Sequence, residues 1–133
     1  MTVCLVLFSC STQKSSDEKP PLYEILKQDE QGGANFRFFE IVTEQKEFKM
    51  LLNDKDLKRK INPSDINTCN FLLLNMGEKN SGGYSFSIEN IEETENDIII
   101  TIKENGPKGV ATTVMTYPLS IVKINSKKNI IIK

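Results

Sequence analysis

From Leu22 onward the chain is a succession of short apolar runs separated by stretches rich in glycine, proline, asparagine and serine. Most runs have the length and residue types of strands. Leu22 to Leu26 is a short apolar segment, and Gln31-Gly32-Gly33 after it signals a turn. Asn35 to Val42 is aromatic and β-branched, which favours a strand pairing with the first as a hairpin. The period then changes. Thr43 can cap a helix whose Phe48, Leu51 and Leu52 form a narrow apolar stripe able to lie on a sheet. Asn53 to Lys60 mixes charges of both signs and reads as a solvated face.

Asn70 to Met76 is the most continuous apolar run, as expected of a central strand buried on both faces. Gly77 to Gly83 is a glycine-rich loop. Tyr84, Phe86, Ile88 and Ile91 then alternate with polar residues, and a turn near Glu95-Asn96-Asp97 leads into Ile98 to Glu104, predicting a hairpin. Asn105 to Gly109 is another breaker loop. Val110 to Tyr117 is strand-like, Pro118 interrupts, Ser120 to Ile124 resumes the alternation, and Ile130 to Ile132 forms a last short segment. About seven to eight strands joined mostly by short hairpins predict a mainly β fold. The expected form is an antiparallel β-sandwich or small barrel with one covering α-helix.

The amino terminus breaks this pattern. Residues 1–10 are almost wholly apolar and uncharged, and residues 11–20 are polar and breaker-rich. A run this short does not span a bilayer, which needs ~20 residues, but it suits the end of an export signal. Leu7-Phe8-Ser9-Cys10 resembles a bacterial lipobox, with Cys10 as the lipid-attachment residue and 11–20 as a flexible linker to a domain over 21–133. This implies a membrane contact through the lipid, at the bacterial cell envelope, on the outer membrane or cell surface.

Composition narrows the chemistry. The chain of 133 residues has room for one core, and its formal net charge of −1 gives no electrostatic basis for nucleic-acid binding. Histidine is absent, which removes Ser-His-Asp and Cys-His nucleophile arrangements and the usual zinc ligands. Beyond the amino-terminal segment the sole cysteine is Cys69, in an apolar context that suits a small buried residue. The expectation is a protein that is not an enzyme and uses no cofactor or metal. A carboxylate pair such as Glu78 with Glu104 is the remaining catalytic alternative, suggested by loop position alone.

Three loops carry the unusual residue types. In the first, Lys79-Asn80-Ser81-Gly82-Gly83-Tyr84, adjacent glycines permit close backbone approach before an amphipathic ring. The second holds Gly106-Pro107, and the third Tyr117-Pro118, where proline marks a sheet edge or a strand break. Each serves a turn in its own right. The glycine loop leads into a strand, so it lacks the helix N-terminus of a phosphate site.

Taken in order, Gly77-Glu78-Lys79-Asn80-Ser81-Gly82-Gly83-Tyr84, the Ile98 to Glu104 run, Gly106-Pro107, and Tyr117-Pro118 leading into Val122-Lys123-Ile124 resemble the C-terminal domain of the PrcB family. These are protease-complex-associated bacterial lipoproteins. The resemblance implies a binding or assembly domain whose partner is an envelope protein, plausibly a secreted protease. It implies partner contacts at Lys79, Asn80, Ser81, Gly82, Gly83, Tyr84, Gly106, Pro107, Tyr117 and Pro118. A fainter likeness of Asn80 to Tyr84 to the chagasin-like loop offers direct cysteine-protease inhibition as the alternative, without that family's Pro-Thr-Thr core.

Overall fold

In the computed structural model, residues 20–133 are described. Cys4, Cys10 and nearly all of the 11–20 linker lie outside them. The elements run β1 (Tyr23–Asp29), β2 (Phe38–Val42), α1 (Gln45–Leu52), a 3-10 turn (Asp65–Asn67), β3 (Asn70–Asn75), β4 (Ser85–Glu93), β5 (Asp97–Asn105), β6 (Leu119–Ile124) and β7 (Asn129–Ile132). The fold is mainly β. A four-stranded sheet, ordered β1-β6-β3-β2, faces a three-stranded sheet ordered β4-β5-β7.

Strand alternation builds two cores on the two faces of the first sheet. Leu72, Leu74, Val122 and Ile124 point toward the second sheet and pack with Phe86, Ile98, Ile100 and Ile130. Phe71, Leu73 and Ile121 point the other way, against Phe48 and Leu51 of α1 and against Leu57, Ile61 and Ile66. The Phe48 and Phe71 rings stack with centroids 4.8 Å apart. An eight-residue helix is too short to persist alone, so this burial holds it. The molecule thus has three layers, and β3 is buried on both sides as its apolar run predicts.

Several expectations are corrected. Of the two expected forms the sandwich is found, since both sheets have free edges and no closed barrel forms. The sandwich is not wholly antiparallel, because β5 and β7 pair in parallel. After β6 the chain crosses from the first sheet to the second, and β7 then runs alongside β5. The expected β1–β2 hairpin does not form: β1 pairs with β6, and β2 with β3. The helix begins at Gln45 with Glu44 in the capping position and no side-chain cap bond, while the Thr43 carbonyl accepts from Lys127 instead. Val110 to Tyr117 is an irregular loop, held by one antiparallel bridge between Lys79 and Thr116.

Cys69 is a buried free thiol whose Sγ donates to Asn125 Oδ1 at 3.4 Å. On the helix side Lys27 bridges Asp54 and Asp56, each at 3.0 Å. Burial alone raises the Asp54 pKa, but the Lys27 hydrogen bond, the Asp56 amide and the Lys27 charge outweigh it and hold the carboxyl below its ordinary 3.8. Burial lowers the Lys27 pKa, and the two carboxylates override it to leave it above 10.5. Asp54 therefore contributes stability above about pH 4 that is lost as pH falls through its lowered value. The Lys27 contribution is complete below pH 10.5 and lost above it. Wild type should unfold at a higher temperature than Lys27→Met at pH 7, with the gap narrowing as pH falls below 3.8. Melts at pH 7, 4 and 2.5 check this; a constant gap would refute it.

Candidate functional site

The loops at one end of the sandwich converge, although they are remote in sequence. The turn after β1 contributes Glu30 to Arg37, the β3–β4 connection contributes Gly77 to Tyr84, and the β5–β6 connection contributes Gly106 to Pro118. Lys79 and Thr116 exchange two backbone hydrogen bonds of 2.8 Å, and Thr116 Oγ1 donates to the Ser81 carbonyl at 2.7 Å. The Gly82 amide is shared between the carbonyl and hydroxyl oxygens of Thr112, both at 3.2 Å. The Gly83 amide donates to Glu30 Oε1 at 3.0 Å.

Gly83 is required where it stands. Its φ is +89°, and a Cβ there would lie 2.8 Å from Pro107 Cβ and 2.9 Å from Pro107 Cα. Only glycine meets both conditions. Gly106 in turn lies under the Tyr84 ring, which a Cβ would touch at 3.6 Å. The Lys79 ammonium sits 5.3 Å from the centre of that ring, a cation–π contact of about 0.5–1 kcal/mol at an exposed site. Gly83→Ala should cost about 1–3 kcal/mol and displace Pro107 from the glycine loop. Urea unfolding and the exchange rate of the Gly82 amide would register it; wild-type values for both would show the junction to be pliable.

Tyr117 joins the third loop to the first. Its amide donates to the Glu30 carbonyl at 2.6 Å, its carbonyl accepts from the Gly33 amide at 2.8 Å, and its hydroxyl reaches Glu78 Oε1 at 3.4 Å. Pro118 stands immediately before β6, an interior strand, and its carbonyl accepts from Met76. It marks a strand break, not an edge. All ten residues named from the sequence, from Lys79 to Pro118, therefore belong to one end of the molecule, with Asn80 carried on the loop between Lys79 and Ser81.

Other residues complete the site without an obvious sequence signal. Asn75, 0% exposed, accepts from the Ala34 amide at 3.0 Å and donates to the carbonyls of Ala34 (3.3 Å) and Phe36 (2.6 Å). A lone polar residue closing an apolar strand was the available clue. Glu30 and Thr112 are placed by folding alone. Between the glycine loop and Pro107–Thr112 lies a cleft of about 560 Å³, with Glu30 and Val110 in its lining. Val110, Val114, Met115 and Phe36 are exposed apolar side chains on these loops. Glu104 is engaged by Arg37 at 2.8 Å and Glu78 by Tyr117, so each of these carboxylates has a separate partner. No cluster of three or more potential metal ligands occurs among the described residues.

With this geometry established, the β3–β6 portion can be compared with known proteins. Residues 71–125 match the PrcB C-terminal family. The matched segment starts in central strand β3 and ends just past β6, so it contains the glycine loop, the β4–β5 hairpin and the Pro107 and Pro118 loops. It occupies less than half of the chain, and β1, β2, α1 and β7 lie outside it. An uncharacterized protein of Methanocaldococcus jannaschii is 36% identical over 59 residues, which is 44% of this chain and 36% of that protein. The chain thus matches about a third of the length of this curated relative. No solved structure matches.

Proposed function

We propose that this protein is a non-catalytic docking module that binds and stabilises or assembles a partner protein through the loop end built around Gly83, Tyr84 and Pro107. The observation that carries the reading is the pairing of a cross-braced loop junction with exposed apolar side chains at Val110, Val114, Met115 and Phe36. Val110, Val114 and Met115 fall on one loop, and exposed apolar side chains gathered in this way mark interaction sites. The match of residues 71–125 to the PrcB C-terminal family supports a partner protein in the cell envelope, with a secreted protease as the candidate. The lipobox-like Leu7-Phe8-Ser9-Cys10 supports attachment to the membrane through lipid on Cys10.

The two halves of the proposal are tested separately. Tagged protein cross-linked in envelope extract should capture a defined partner, and Val110→Asp with Val114→Asp should lose it while melting as wild type does. Both side chains are exposed, so stability is expected to change by less than about 0.5 kcal/mol. Capture that survives this double substitution would refute the docking surface. Palmitate labelling of wild type, absent from Cys10→Ala, is the expected result for the anchor. Papain activity measured with excess protein should be unchanged; inhibition would move the reading to a direct cysteine-protease inhibitor.

A further inference from the structure

The second sheet is one strand shorter than the first, and β4 forms one of its two free edges. Backbone pairing identifies which groups face it. The Ile102 amide donates to the Lys133 carbonyl, and the Lys133 amide donates to the Ile100 carbonyl, so both isoleucines of β5 turn their peptide groups toward β7. Their cross-strand neighbours on β4, Ile88 and Ile91, therefore turn theirs the opposite way, to the open edge, on either side of a bulge that leaves Glu89 unpaired. Phe86, opposite Glu104, has the same orientation, and Gln28 of β1 caps its carbonyl at 2.9 Å. No such cap is present at Ile88 or Ile91 among the described residues.

The floor beside this edge is apolar. Ile25 pairs with Val122 and Tyr23 with Ile124, so both point from β1 toward the second sheet, and Ile25 is still 40% exposed. On the solvent face of β4 stand the exposed carboxylates of Glu89 and Glu92, which make no ion pair among the described residues. The outer edge of β1 differs, since Lys60 donates to the Leu26 carbonyl at 2.6 Å and obstructs it.

We propose that the β4 edge takes up an extended segment of a partner protein in which apolar and basic side chains alternate. Its backbone would pair with Ile88 and Ile91, its apolar side chains would cover Ile25 and Tyr23, and its basic ones would stand beside Glu89 and Glu92. Strand addition to an exposed edge draws affinity from backbone bonds and selectivity from alternate side chains. This edge is separate from the Gly83 loop end, and the two surfaces stand or fall independently.

The test titrates the full chain with the peptide Lys-Val-Lys-Val-Lys-Val, with Lys-Lys-Lys-Val-Val-Val and Glu-Val-Glu-Val-Glu-Val as controls, and follows amide exchange. The alternating basic peptide should slow exchange at Ile88 and Ile91 by about tenfold, and neither control should do so. Glu89→Lys with Glu92→Lys should weaken binding about fivefold. Ile88→Pro removes an outward amide without breaking a ladder bond and should abolish binding; if that variant unfolds, the charge reversal decides alone. Unslowed exchange, equal effects of the grouped peptide, protection confined to β7 or the Gly83 loops, or protection of the same amides by self-association would each overturn the proposal.

Discussion

Replacing Phe71 by alanine is expected to remove about 3–5 kcal/mol of stability, enough to leave a domain of this size marginal at room temperature. Phe71 is fully buried on the central strand of the first sheet and stacks on Phe48. The substitution opens a cavity that a β-strand paired on both sides cannot close, and it removes the surface on which the short helix rests. Phe71→Leu keeps most of the volume and should cost less than about 1.5 kcal/mol beyond the stacking contribution. Guanidinium unfolding monitored by circular dichroism would separate the two. An alanine variant within 1 kcal/mol of wild type, an allowance of about the size of a surface change, would mean that α1 does not depend on this layer.

Asn75→Asp should have the second largest effect, about 3 kcal/mol. The new carboxylate can still accept from the Ala34 amide, but it has no hydrogen to offer the carbonyls of Ala34 and Phe36, which would face a buried negative oxygen. The same place leaves no room for relief, because a Cβ on Gly33 would collide with Asn75 Oδ1 and sit 2.7 Å from the Tyr117 carbonyl. The loss should be local as well as global: amides of residues 33–37 should exchange faster than those of β4 and β5. A uniform change across the chain, or none, would contradict the bracing role given to Asn75.

The sequence was most legible where periodicity and burial agreed. The run Phe71 to Leu74 sits between two apolar layers, and the β4–β5 hairpin joins adjacent strands across a short turn, so local pattern was enough. Pairing of β1 with β6 was not legible, because strand partnership across nearly a hundred residues leaves no local trace. Val110 to Tyr117 was misread for a different reason. Its valines and threonines have strand propensity, yet propensity reports fit to a packed sheet surface, and between Gly109 and Pro118 no sheet surface is offered. Within the site, Gly83, Pro107 and Pro118 could be picked out because glycine and proline announce backbone constraint. Glu30, Asn75 and Thr112 act only across long sequence separations and carry no such mark.

The direction of β1 fixes how far the entry of the described chain lies from the loop end. Its first residue pairs with Ile124, near which the Leu22 carbonyl receives the Asn125 amide, and its last pairs with Leu119 beside the Gly83 loops. Seven residues of strand span roughly 23 Å at about 3.3 Å each. β1 therefore sets a full strand length between the end of the domain at which the described chain enters and the opposite end, where Val110 and Met115 lie exposed beside the Gly83 loops.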